Sequence, residues 1–351
     1  MIICLSSGSR ERYRQDVILS LAMPENYVLQ FRYDKKWISS AVLEKIQNKS
    51  IIRETALIVY VDQYDKMIQP ELIPCRIANV ISCSEHGSTI SLQFNLKEIA
   101  YAKDIQAFNR EIHSLSVGTI VNWDQNKKPK GHYCVWVENN NLSTMVLSKD
   151  LIIWESVVSQ IAERKEFANE KTFYTIESLV EVDSNKIIPP YNGVYSLKSS
   201  REHQLNIYHY HPQEGKSKAY LLCSSKAPIV TNITNPKMLV NSRYDIKHFR
   251  FKTEKAINTT RVALTIYRGE GENENEMPML DFDLILKIKG SLCKNALLGV
   301  FVGVLLAIPI ISSTISDTQL SSSTKTVLIF LSLLSNIFVG LIASFNFKKG
   351  L

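Results

Sequence analysis

Two histidines in the run Tyr208–His209–Tyr210–His211 stand two residues apart. On a strand that spacing puts both imidazoles on one face and the tyrosines on the other. Paired imidazoles can hold a metal, yet no acid or cysteine pattern accompanies them; His203 lies nearby in sequence. The reading is a solvated or partly packed sheet face. Ser6–Arg10 (SSGSR) has the composition of a phosphate-binding turn with arginines beside it, but its single glycine reads as an ordinary loop before a helix. His86, His113, His132 and His248 pair with no nucleophile. The sequence contains no GxxxxGK[ST], GxGxxG, GxSxG or HExxH. Its six cysteines (Cys4, Cys75, Cys83, Cys134, Cys223, Cys293) lie far apart without a CxxC, so in a cytosolic chain they read as reduced and mostly buried. These patterns assign no catalytic residue, no cofactor and no metal ligand, and the chain reads as a protein other than an enzyme.

Charge sets further bounds. The 351 residues carry a net charge of +7, with 45% hydrophobic and 21% charged side chains, inside the globular range. Arg10, Arg12 and Arg14, Lys35 and Lys36, and Lys127, Lys128 and Lys130 form modest basic clusters that read as solvated turns. This is not the footprint of a nucleic-acid binder. The charge is unevenly spread. Residues 291–351 hold only four lysines and one acid, all outside two long apolar runs.

Those runs are Asn295–Ile311 and Thr326–Phe345, and neither contains a charge. At about 1.5 Å per residue they give roughly 25 and 30 Å of helix, enough to cross a hydrocarbon core of about 30 Å. They are read as a transmembrane helical hairpin over 295–345, with spans 295–311 and 326–345. Lys287, Lys289 and Lys294 precede it, and Lys348 and Lys349 follow it. The positive-inside rule puts both ends in the cytoplasm, with these lysines at the headgroups of the lipid bilayer. In the first span Gly299, Gly303 and Ala307 recur every four residues; in the second Asn336, Gly340 and Ser344 do the same. Small residues let helix backbones approach, and an amide at mid-membrane needs a partner. The stripes are read as packing of the two helices on each other, with oligomerisation around a polar seam or pore at Asn336 as the sharper alternative.

The elements ahead of the hairpin fall into two groups. Residues 1–165 mix strand patterns (Ile2–Leu5, Tyr27–Tyr33, Thr55–Asp62, Leu72–Ser82, Thr89–Leu96, Tyr133–Val137) with helical spacing over Ser39–Gln47, Glu98–Glu111 and Lys149–Arg164. They are read as an α+β cytosolic domain with a small antiparallel sheet or a barrel-like core. Pro74 is expected to delay the fourth strand to Cys75. Residues 170–289 carry seven strand patterns and are read as an all-β, sandwich-like cytosolic domain. Glu270–Glu276 is read as an acidic hairpin tip, and the last strand, ending at Lys289, leads without slack to the hairpin.

This layout resembles, in architecture only, membrane effectors of prokaryotic antiviral defence. The resemblance implies an integral membrane protein whose cytosolic domains sense a small-molecule trigger or a protein partner and whose hairpin oligomerises or perturbs the membrane. The alternative is a membrane-anchored scaffold or adaptor that recruits partner proteins, with the hairpin a passive anchor.

Overall fold

A computed structural model describes residues 1–7, 10–62, 70–118, 132–170, 172–212, 219–240, 242–256, 258–270 and 280–290, with Thr326, Phe330 and Ile337. Strands take up 52% of the described residues and helices are few among them, consistent with a β-sandwich-like domain. Apart from those last three residues, the apolar runs 295–311 and 326–345 lie outside the described residues. Among the described residues, no helix is long and apolar enough to cross a membrane.

The first elements are β1 (Ile2–Ser7), α1 (Glu11–Ala22), β2 (Val28–Asp34), α2 (Ser40–Gln47), β3 (Thr55–Asp62), β4 (Glu71–His86), β5 (Thr89–Tyr101), α3 (Ile105–Leu115), β6 (Ser116–Val117), β7 (His132–Val137), β8 (Val146–Ser148) and α4 (Leu151–Ala162). The strands form one sheet in the order β2-β5-β4-β3-β1-β7-β6, with β8 added on β5. β1 and β3 are parallel, Ile2 opposite Ala56. A parallel pair needs a long crossover, here the stretch that carries α1, β2 and α2. Ile38, just beyond β2, bridges Cys134 of β7, so the chain leaving one end of the sheet order comes back beside the other. Ala56–Val61 is buried without a break, because both faces of β3 are covered. On one side Leu57, Val59, Ile3 and Leu5 pack with Phe108 and Ile112 of α3. α1 also packs on β1, β3 and β4, burying Val17, Ile18 and Leu21 at about 1.5–3 kcal/mol each.

Three local features differ from the sequence expectation. Pro74 lies inside β4, opposite Val59, where the register with β3 slips by a bulge; β4 meets β5 only from Arg76 onward, so the missing N–H leaves no ladder bond unmade. Glu98–Tyr101 belongs to β5, because Ile99, Ala100 and Tyr101 pair with β8. The helix starts at Ile105, where Asp104 accepts from the Ala107 N–H at 2.9 Å and caps it. The β4–β5 hairpin turns on only Gly87 and Ser88, and Gly87 supplies the positive φ (+60°) that this tight connection requires.

The remaining strands are β9 (Phe173–Glu181), β10 (Lys186–Ile187), β11 (Val194–Lys198), β12 (Glu202–Tyr210), β13 (Ala219–Ser224), β14 (Val230–Thr234), β15 (Lys237–Val240), β16 (Tyr244–Thr253), β17 (Thr260–Glu270) and β18 (Leu280–Lys289). They form two five-stranded sheets, β10-β9-β12-β16-β14 and β11-β18-β17-β13-β15. Alternate residues are buried along β12 (His203, Leu205, Ile207, His209) and β16 (Phe249, Phe251), the period-two pattern of half-buried strands. The Tyr174 ring of the first sheet stacks on Phe282 of the second at 5.8 Å. Gly269 of β17 gives way to the Tyr220 ring of neighbouring β13; a Cβ there would come within 2.0 Å of it. Apart from Glu270, the acidic tip Glu270–Glu276 lies outside the described residues.

The chain divides into two compact units. The first comprises Met1–Ser196, Arg201–Lys252 and Val262–Leu286; the second comprises Leu197–Ser200, Thr253–Arg261 and Lys287–Leu351. Within the second, the Thr253 hydroxyl donates to the Lys198 carbonyl at 2.8 Å, and Lys287 and Lys289 are exposed on either side of buried Ile288.

Candidate functional site

Arg76 is the residue from which a site can be built. It sits on β4 amid apolar neighbours and is only 5% exposed. Its Nε donates to the Lys97 carbonyl at 2.6 Å, and Nη1 donates to the carbonyls of Met23 and Ser20 at 3.0 and 3.4 Å. Ser20 and Met23 close α1, whose last carbonyls have no partner inside the helix. The guanidinium therefore caps α1 and offsets the negative end of its dipole. That role uses Nε and Nη1. Nη2 has no acceptor, and no carboxylate lies within ion-pair distance, among the described residues. Burial lowers the Arg76 pKa to about 10, with Glu25 and Glu98 opposing from a distance.

A cavity of about 380 Å³ opens on this guanidinium. Met23, Ile99, Trp154 and Ile176 give it buried apolar surface. Trp154 is fixed by its indole N–H, which donates to the Leu21 carbonyl at 2.9 Å, and by an edge-on contact with the Tyr208 ring. Half-buried Lys97 donates to the Asn26 amide oxygen at 2.9 Å, a neutral partner. Lys149 is paired with Glu25 at 2.7 Å. Glu98 is half-buried, and Asp150 and Glu177 are exposed at the mouth. Uncompensated positive charge thus lies deep and uncompensated negative charge lies outside it.

A second charged cluster is structural. Glu170, 4% exposed, lies between two arginines, 3.1 Å from Arg14 Nε and 2.8 Å from Arg268 Nη2. Arg268 Nη1 donates to the Thr172 carbonyl at 2.6 Å, while its buried Nε has no acceptor among the described residues. The cluster ties α1 to β17. It also places Arg14 on a helix and in an ion pair, where the sequence reading had a solvated turn. Lys35 and Lys36 pair with Glu85 and Asp34. Lys127, Lys128 and Lys130 lie outside the described residues.

The histidine pair falls differently from expectation. The face of β12 that carries His209 is buried, and His209 and His211 are 0% and 1% exposed. His209 Nε2 meets the Ser242 carbonyl at 3.1 Å, and burial pushes its pKa down. No cluster of three metal-ligating side chains occurs among the described residues. Cys4, Cys75, Cys134 and Cys223 are buried thiols and Cys83 is half-buried. Cys4 faces Cys134 across β1 and β7. The Cys134 carbonyl points away, to the Ser39 N–H at 2.9 Å, so the two form a non-hydrogen-bonded pair with close side chains.

Of the residues singled out in sequence, Lys287 and Lys289 are exposed on one face of β18. Gly299, Gly303, Ala307, Asn336, Gly340, Ser344, Lys294, Lys348 and Lys349 lie outside the described residues. The Arg76 cavity went unread, because its lining comes from six separate stretches and the guanidinium's partners are backbone carbonyls, which leave no mark in the sequence.

No family model and no curated protein matches the chain. Solved structures to which it is similar include WR4, a C. elegans MSP family member, at 10% identity over 28% of this chain and 93% of that one, with a TM-score of 0.19. The N-terminal domain of PorA matches at 11% identity over 32% and 97%, with a TM-score of 0.17. Domains 4 and 5 of the S-layer protein SbsC match at 8% identity over 44% and 90%, with a TM-score of 0.19. Likenesses this slight carry no argument about fold or function.

Proposed function

We propose that this chain is a membrane-anchored effector. Its α+β and β-sandwich-like parts are cytosolic and sense a trigger, and a transmembrane hairpin over 295–345 oligomerises or perturbs the bilayer. The observation that carries the reading is the pair of charge-free apolar runs, 295–311 and 326–345, flanked by lysines on the same side. The sensing half is supported by a buried guanidinium, Arg76, that opens on a cavity without a counter-ion. In the hairpin, the small-residue stripes and Asn336 are the helix contact, and Lys287, Lys289, Lys294, Lys348 and Lys349 meet headgroups.

Dye uptake tests this in bacteria expressing the full chain, a chain ending at residue 290, or the Asn336→Leu variant. Uptake with the full chain alone, reduced by Asn336→Leu, is the expected result. Intact membranes in all three with the trigger present refute the effector reading and leave an anchored scaffold. That second reading is favoured by one observation: Val146, Leu147 and Ile152, around the start of α4, are 52%, 46% and 72% exposed, apolar side chains that a protein partner would cover.

A further inference from the structure

We propose that the cavity on Arg76 binds a small amphoteric metabolite. Its carboxylate or phosphate meets the Arg76 guanidinium, and its amine faces the carboxylates at the mouth. The inference deepens the sensing half of the proposed function and rests on that reading only for its consequence at the membrane.

The charge arrangement selects the class. A buried guanidinium without a counter-ion is costly, and capping α1 accounts for only part of its hydrogen-bonding capacity. Nη2 remains for an anionic oxygen, and a charge-assisted hydrogen bond to a carboxylate or phosphate is stronger than one to a neutral acceptor. Lys97, held by a neutral amide, keeps its charge for the same group. A purely anionic ligand would meet Glu98, Asp150 and Glu177, none of which is in an ion pair among the described residues. A purely cationic ligand would leave Arg76 unanswered. A molecule with an acid at one end and an amine at the other satisfies both. The volume of about 380 Å³ sits at the small end of ligand sites and fits a metabolite rather than a polymer. Ile99, Trp154 and Ile176 receive the aliphatic body that joins the two ends.

The test is isothermal titration of the full chain in mild detergent with four probes. L-Lysine presents a carboxylate with ammonium groups, and O-phosphoethanolamine presents a phosphate with an ammonium group. Inorganic phosphate presents the anion alone and putrescine the cation alone. One amphoteric probe is expected to bind saturably, at least about tenfold more tightly than phosphate or putrescine. Which of the two wins identifies the acid. Arg76→Lys keeps the charge and loses the Nη2 donor, and is expected to weaken binding by about tenfold or more. Since Arg76 also holds α1, Glu177→Arg serves as the second variant. It changes an exposed side chain, leaves folding intact, and is expected to weaken the same probe by about tenfold through the amine end. The proposal is overturned if neither amphoteric probe saturates by about 10 mM, above the millimolar Kd range. It is also overturned if a one-charge probe binds as tightly, or if both variants bind like the native chain. Binding does not depend on the hairpin. Specific binding beside intact membranes keeps this site and refutes the effector reading, and dye uptake without binding does the reverse.

Discussion

Replacing Glu170 with glutamine removes a single charge from between two guanidinium groups. At an effective dielectric near 20, an ion pair at about 3 Å is worth about 5–6 kcal/mol before desolvation is subtracted. The two arms are unequal. The Arg14 side chain is 29% exposed, so its pair with Glu170 is screened and contributes about 0–1 kcal/mol. The Arg268 side chain is 4% exposed and, without Glu170, keeps only the Thr172 carbonyl as a partner. An uncompensated buried charge of this kind costs about 3–5 kcal/mol. Glu170→Gln is therefore expected to destabilise the fold by about 3–5 kcal/mol and Arg14→Met by about 0–1 kcal/mol. The double variant Glu170→Leu/Arg268→Met should recover most of the loss, because it removes both buried charges and an Nε that already lacks an acceptor. Urea unfolding followed by tryptophan fluorescence reads these shifts, with Trp154 buried in the same compact unit. A cost under about 1 kcal/mol for Glu170→Gln, or a double variant that costs the sum of its singles, would refute the account of this cluster.

Asp16 gives a pH dependence of known sign. Burial raises its carboxyl to about 7, with Arg12 opposing. The folded chain thus keeps a proton that the unfolded chain loses from pH 3.8 upward, so this group's contribution to stability falls as pH rises from 3.8 to about 7. Asp16→Asn should flatten that slope and exceed the native chain in stability at pH 8 by about 1–3 kcal/mol after screening, measured by urea unfolding across pH. Gly269→Ala should cost about 1–3 kcal/mol by thermal unfolding, because the buried Tyr220 ring occupies the place of the new methyl. In a Cys293→Ser background, maleimide should label Cys83 first in the native chain and the four buried thiols only after unfolding, with Cys83→Ser abolishing the early label.

Sequence patterning was most informative where burial alone decides structure. Thr55–Asp62 and Tyr133–Val137 read as strands because β-branched and aromatic residues run together, and Ala219–Ser224, Tyr244–Lys252 and Leu280–Lys289 did so in the sandwich-like part. It failed where tertiary partners decide. Val230–Thr234 carries too many polar residues to stand out and Lys237–Val240 is too short, and Asn232 and Asn235 take positive φ in and beside them. Glu98–Tyr101 has helical spacing but becomes strand through its pairing with Val146–Ser148. The burial of the histidine face of Glu202–Tyr210 depends on a second sheet, which no local pattern reveals. Arg76 is one arginine in an apolar run, and its meaning depends on a helix end more than fifty residues earlier.

The place of β1 in its sheet sets an order of events during synthesis. It lies between β3 and β7, so its second edge stays open until residues 132–137 exist. Roughly 75 residues separate the end of β3 from the end of β7, about 4–15 s of translation at 5–20 residues per second. Over that interval Ile2–Leu5, apolar and β-prone, presents unpaired backbone groups, the kind of edge that recruits other chains. Closing the β1–β7 loop then carries an entropy cost of about 4 kcal/mol beyond its constant part. Ribosome-bound chaperones, or a slowed stretch of translation that keeps neighbouring nascent chains apart, would thus act on this protein before any residue of its sandwich-like part has been made.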